Sequence, residues 1–402
     1  MGRISLLDKI FSASVVLIPI LQYYYSPIPP LNMSTFLAVV FVPCFFLTLG
    51  RKTYAKRGDW ALLPPSLYVL FIVFNTFYTI RLYGYSFSLG NLEGLVRLLV
   101  IFFAYLFLGY KHFHFKTAFK VLEIVLLISV VLMIIQAFFS VMGHPISFHI
   151  AGLLTDSGYA QAGDRFDGLY MEPAHFAHAA IMYLCIKLLK PGFMTNPFSD
   201  VKTIIIALGV ILSGSGQGYI FLVIVAAIWF LYSIFGNRAL SLNKKILYIF
   251  TTVAVCLVLY YVIPEIDYAQ RAISRFTDTG EFGGSALVGR TGTDYMFLDM
   301  SETQQMFGVG LGHQSDITGQ YFTNSLYSHL ITYGYPSLFF LALIFLYNFI
   351  RRSACSKAFT VIFIIELFFA DTAAPSMMCQ YLLFTLFEYN YIKDSNKKVQ
   401  VA

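Results

Sequence analysis

The sequence predicts an all-α polytopic membrane protein with about twelve transmembrane helices and two large loops on the outer side. Three observations lead there. Apolar residues make up 58% of the 402 residues and charged residues 12%, about half the usual share of a soluble domain. A soluble chain of this length could not hide so much apolar surface, and the mean hydropathy is +0.71. The apolar runs are continuous rather than alternating, which selects helices over a transmembrane β-barrel. Basic residues cluster in every second link between runs, the pattern of a cytoplasmic face.

The runs fall at roughly 10–25, 33–49, 60–80, 91–110, 118–142, 173–190, 202–213, 217–235, 246–263, 323–350, 357–371 and 376–392. The first follows Arg3 and Lys9 and reads as an uncleaved span, because many similar runs come after it. The fourth carries Glu93 and Arg97 at i, i+4, read as a helix-internal ion pair. The sixth begins at Pro173, which suits a first helical turn. The seventh is short, and the eleventh and twelfth could be one broken element. No internal repeat stands out, so residues 1–402 read as a single transmembrane domain.

The basic links hold Arg51, Lys52, Lys56 and Arg57; Lys111, Lys116 and Lys120; Lys190 and Lys202; Arg238, Lys244 and Lys245; and Arg351, Arg352 and Lys357. One assignment satisfies all of them: both termini lie in the cytoplasm. The outer side then holds two long loops, about 143–172 and 264–322. Its cations are Arg81, Arg165, Arg271, Arg275 and Arg290, all arginine. Guanidinium grips phosphate oxygens in a fork and keeps its charge where water is scarce. The plainer reading is salt bridges to Asp164, Asp167, Glu265 and Asp267. The five cysteines form no CxxC pair and none falls in an outer loop, so neither a disulfide nor a cysteine metal site is expected.

Three stretches carry candidate chemistry. RFDGLYMEPAHFAH, Arg165 to His178, sets Glu172 at a helix start on the outer face, with His175 and His178 following at i+3 and i+6. A carboxylate or imidazole there can take a proton from a hydroxyl. The alternative is that Glu172 only caps its helix and pairs with Arg165. The two histidines lack a third ligand in sequence, so zinc is not expected. SGSGQG, Ser213 to Gly218, is either a cradle for a phosphate or sugar hydroxyl or, more simply, a tight hairpin of small residues. The run from Gly289 to His313 begins with Arg290 and ends in Gly308, Gly310 and Gly312. No strand precedes these glycines, so a dinucleotide site is rejected; they let backbones approach as the loop re-enters the membrane. Asn324, Tyr327 and His329 follow near the outer face.

RFDGLYMEPAHFA resembles the arginine–glycine–Glu-Pro signature in an outer loop of the O-antigen polymerases, the Wzy family. GR…MFGVGLG followed by NSLYSHLITYGYPSLFF resembles the late outer loop and re-entry helix shared by these polymerases and the O-antigen ligases. Where the ligases carry a histidine just before that helix, this chain has Thr323 and Asn324, which favours the polymerases. The resemblance implies a glycosyltransferase of the bacterial inner membrane with its active site facing the periplasm. It would polymerise undecaprenyl-diphosphate-linked oligosaccharide repeat units, without cofactor or metal. Donor and acceptor are both lipid-linked oligosaccharides; a chain-length regulator and a flippase are the expected protein partners, and nucleic acid is not one. Arg165, Arg290, Arg271, Arg275, Gly168 and Asn324 are the expected substrate-binding residues. Glu172 is the first candidate for the base, with His175, His313 and His329 behind it. The rival readings are an O-antigen ligase, a lipid-linked glycan flippase and a small-molecule transporter.

Overall fold

A computed structural model describes residues 5–22, 24–28, 32–47, 60–144, 146–148, 166–170, 172–190, 193, 200–233, 246, 250, 293–314, 325–368 and 375–388. Among these, every extended element is a helix, apart from an isolated antiparallel bridge between Tyr25 and Asn32. The helices are α1 (Leu6–Leu21), α2 (Met33–Phe46), α3 (Leu63–Tyr83), α4 (Leu89–His112), α5 (Phe115–Val141), α6 (Pro173–Leu189), α7 (Val201–Leu212) and α8 (Gly216–Leu231). Then come α9 (Thr293–Leu298), α10 (Glu302–Phe307), α11 (Ser325–Tyr333), α12 (Pro336–Arg351), α13 (Ala354–Glu366) and α14 (Pro375–Leu386).

By length and composition α3, α4 and α5 can each cross a membrane, and shorter apolar helices accompany them. Polar caps mark where helices start. Ser5, Ser88 and Ser301 each accept from the third backbone N–H and are answered by Asp8, Asn91 and Gln304. Proline opens α3, α6 and α12. The Glu93–Arg97 ion pair forms as the i, i+4 spacing predicts. Arg97 then begins a π-helical stretch that runs to Ala104 inside α4.

The tenth run differs from its expectation. It is two helices, α11 and α12, broken at Gly334, whose φ of +71° turns the chain ahead of Pro336. The eleventh and twelfth runs are separate helices, α13 and α14. The ninth run lies almost wholly outside the described residues.

The chain divides into two compact units. The first holds α1 to α4, the start of α5 up to Ile124, and α9 to α14. There α14 is buried from Met377 to Leu386, packing on α1 and on the π stretch of α4, while α3 packs along α12. Glu388 locks the end of α14 to the start of α13, accepting from the Ser353 N–H at 2.8 Å and from the Ser353 and Ser356 hydroxyls at 2.5 and 2.7 Å. The second unit holds α5 from Val125 and α6 to α8. Within it α7 runs antiparallel to α6. Lys187 reaches Asp200 at 3.0 Å at one end, and Gly209 packs on Phe176 at the other.

Candidate functional site

In the second unit, Glu172 stands at the N-cap position of α6 with extended backbone, φ −133° and ψ 144°. Its carbonyl accepts the N–H groups of His175 and Phe176 at 3.1 and 3.3 Å. Its carboxylate makes no capping bond, so the cap reading describes the backbone and leaves the side chain unexplained. His175 follows on the first turn, half-buried like Glu172, and His178 is buried one turn on. On α6 the i+3 and i+6 spacings set His175 one turn from Glu172 and His178 one turn beyond it, all toward one face of the helix. The three residues the motif supplies are therefore neighbours in space.

The lead-in to α6 is pinned from α5. The Gln136 amide donates to Asp167 Oδ1 at 2.9 Å, and its carbonyl accepts the Gly168 N–H at 3.1 Å. Gly168 has φ +62°, and a Cβ there would meet the Ser129 carbonyl oxygen at 2.6 Å. Its role is close packing on α5, and that face has no room for a ligand. Phe166 donates its N–H to the Ser213 carbonyl at 3.3 Å, which joins the lead-in to the SGSGQG turn. That turn is the hairpin expected of small residues, with Ser215 capping α8.

These contacts set the depth of the stretch. Ser129 lies twelve residues before the end of α5 at Val141, a rise of about 18 Å. Gly209, near the end of α7, also packs at that level, against Val130. The Asp167–Gly168 step of RFDGLYME therefore packs well back from the end of α5. The short seventh run is the helix α7, which ends three residues past Gly209, whereas α5 continues for eleven past Val130.

The first unit carries the second cluster. Gly308, Gly310 and Gly312 have φ of +74°, +96° and +82°, and the segment threads between α3, α4 and α11. A Cβ on Gly308 would meet the Thr332 carbonyl oxygen at 2.2 Å. The N–H groups of Val309 and Gly310 instead bond the last carbonyls of α11, on Ile331 and Thr332, at 2.8 and 2.9 Å. Asn75 donates to the Phe307 carbonyl at 2.8 Å, Tyr83 to that of Gly308 at 3.0 Å, and Asn91 to that of Leu311. The glycines thus satisfy a helix end that lipid could not. The close backbone approach expected of them is what they make.

His313 and His329 flank this segment. The buried His313 ring lies 4.3 Å from the Tyr85 ring, centroid to centroid. His329 is buried; its Nε2 is 3.3 Å from the Tyr68 hydroxyl, and its ring lies against Tyr333 at 4.7 Å. Beside it Gln314 bonds Ser328 at 3.1 Å and Thr332 at 3.3 Å. Arg165, Arg271, Arg275, Arg290 and Asn324 lie outside the described residues. Among the described residues no three His, Cys, Asp or Glu side chains gather as a metal site. Sequence reasoning missed Gln136, Asn75 and Asn91, whose signal is a lone amide in or beside an apolar run.

No protein-family model matches the chain, and none of the curated proteins is similar to it.

Proposed function

We propose that this protein is a glycosyltransferase of the bacterial inner membrane that polymerises undecaprenyl-diphosphate-linked repeat units into O-antigen or a related surface polysaccharide. In this reading the chain crosses the membrane about twelve times, both termini are cytoplasmic and the site faces the periplasm. The observation that carries the reading is the uncapped Glu172 carboxylate beside His175 at the start of α6, set back along α5 and led into by the Arg165–Gly168 signature.

The chemistry follows from the residue types. Glu172 takes the proton of an acceptor sugar hydroxyl. The freed oxygen attacks the anomeric carbon of the donor sugar as that carbon's bond to the diphosphate breaks. The leaving undecaprenyl diphosphate keeps the electron pair, and Arg165 and Arg290 hold its charge. His175 orients the acceptor. His313 and His329 are the further candidates for the base.

Gel analysis of surface polysaccharide from a strain lacking the protein tests the reading. Loss of the ladder beyond one repeat unit is expected. Loss of every capped form would point to a ligase or a flippase instead.

A further inference from the structure

The Ser213–Gly218 turn has no part in the mechanism above. Ser215 caps α8, its hydroxyl accepting the Gly218 N–H at 3.2 Å, and its carbonyl accepts the Tyr219 N–H at 3.1 Å. Among the described residues nothing accepts from the N–H groups of Gly216 and Gln217. Such groups at a helix start are ordinary where water reaches them, and alone they define nothing. Gln217 is the second observation. It is 5% exposed, and its Oε1 has no hydrogen-bond partner among the described residues.

Gln217, Phe221 and Val225 are buried at i, i+4 and i+8, so the amide lies on the packed face of α8. That helix packs on α6. A Cβ on Gly218 would meet the Ala177 Cβ at 2.8 Å, so Gly218 is level with Ala177. Both helices are antiparallel to α7 and therefore run the same way. Glu172 stands five residues before Ala177, about 7.5 Å along α6. Measured along the helix axes, the orphaned amide is thus offset from the proposed base by about a turn and a half, on the neighbouring helix. A buried acceptor without a donor costs stability, and an apolar side chain of the same length would remove that cost.

We propose that Gln217, with the N–H groups of Gly216 and Gln217, is a binding subsite for a sugar of the acceptor repeat unit; the assignment to the acceptor rests on the polymerase reading. The chemistry selects the ligand. Oε1 needs a proton donor, and a sugar hydroxyl supplies one while a diphosphate at neutral pH does not. The two N–H groups donate to oxygens of the same sugar. Nearness to Glu172 favours the acceptor over the donor.

Gln217→Met removes the amide and keeps its length. Gly216→Pro removes one N–H at a position where proline suits a helix, and Ser215 before it already has the extended backbone that proline asks for, at φ −80° and ψ 109°. The proteins are reconstituted in nanodiscs with a preformed lipid-linked chain as donor and a single lipid-linked unit as acceptor. Gln217→Met should raise the acceptor KM about tenfold, the worth of one hydrogen bond in a dry site, with the donor KM unchanged. Gly216→Pro should raise it less. The free repeat-unit oligosaccharide should raise the unfolding temperature of the wild type but not of Gln217→Met, which should itself unfold no lower than wild type. An unchanged acceptor KM with the oligosaccharide shift retained overturns the subsite. So does a Gln217→Met protein that unfolds lower with both KM values raised alike, which marks the amide as packing. A wild type that makes no polymer, yet is stabilised by the oligosaccharide in a Gln217-dependent way, sinks the polymerase reading and leaves the sugar subsite standing.

Discussion

Gln136 holds Asp167. The one amide grips the aspartate with its nitrogen and the Gly168 N–H with its oxygen, so two residues of the RFDG signature are fixed to α5. Asp167 is then scaffold, and Arg165 and Glu172 flank a pinned segment. Gln136→Leu should cost about 1 kcal/mol, typical of a side-chain hydrogen bond within a membrane, and should lower chain extension with it. Denaturation in detergent and an in vitro extension assay measure the two. Wild-type activity in a stably inserted Gln136→Leu protein would show that the segment is held in place by other contacts.

Gly308 and Gly334 tie α10 and α11 together from opposite sides. A Cβ on Gly334 would meet the Met306 carbonyl oxygen at 2.2 Å, and both glycines have positive φ. Backbone stands in the way, so no side chain can swing aside. Either Gly→Ala change should destabilise by about 2 kcal/mol or more, and membrane levels should fall. Gly84 has φ +70° but nothing within 4 Å, so Gly84→Ala should cost only about 1 kcal/mol of backbone strain. Equal expression of Gly308→Ala and Gly84→Ala would contradict the tight packing described for the loop.

A buried pair of Asp8 and His112, 2.8 Å apart, joins α1 to the end of α4. Burial raises the Asp8 carboxyl, but hydrogen bonds from His112 and Ser5 and the charge of His112 outweigh it and hold the group below its ordinary value. A lowered folded pKa means the unfolded chain takes up its proton first as pH falls. The stabilisation is therefore complete above about pH 4 and is lost as pH drops through the folded pKa. Unfolding temperatures of wild type and Asp8→Asn, compared from pH 7 to 3, should converge only at the acid end. A gap of constant size throughout would rule out the linkage.

The helices were legible wherever a local signal marked them. Pro173 sits at a start legible in the sequence, whereas the Ser88 and Ser301 caps emerge only from the structure. The break in the tenth run is marked by Gly334 and Pro336, a helix stop and a helix start, but apolar residues on both sides let LITYGYPSLFF read as one continuous run. The depth of the lead-in was hidden for another reason. It depends on Gln136, thirty-one residues from Asp167, and no local pattern encodes that pairing. The glycines of MFGVGLG could be read as close-approach positions, but their partners on α3, α4 and α11 could not.

Arg165 and Arg290 each open a motif in a stretch of sequence that carries no lysine, about 143–172 and 264–322. If both hold the diphosphate in a fork, alanine at either should abolish extension while the protein still inserts. Lysine should rescue poorly, since a point charge cannot make the paired bonds. Full activity with lysine at both positions would reduce them to generic positive charge.

The most direct test is reconstitution of wild type and Glu172→Gln with purified undecaprenyl-diphosphate-linked repeat units. Glutamine keeps the shape of the side chain and cannot act as a base. Since the carboxylate makes no capping bond, the variant should insert and unfold like wild type. Wild type should give a ladder of many repeat units, and Glu172→Gln should add no second unit to the acceptor. Near wild-type polymer from Glu172→Gln would remove Glu172 as the base, and the absence of any ladder from the wild type would contradict the account as a whole.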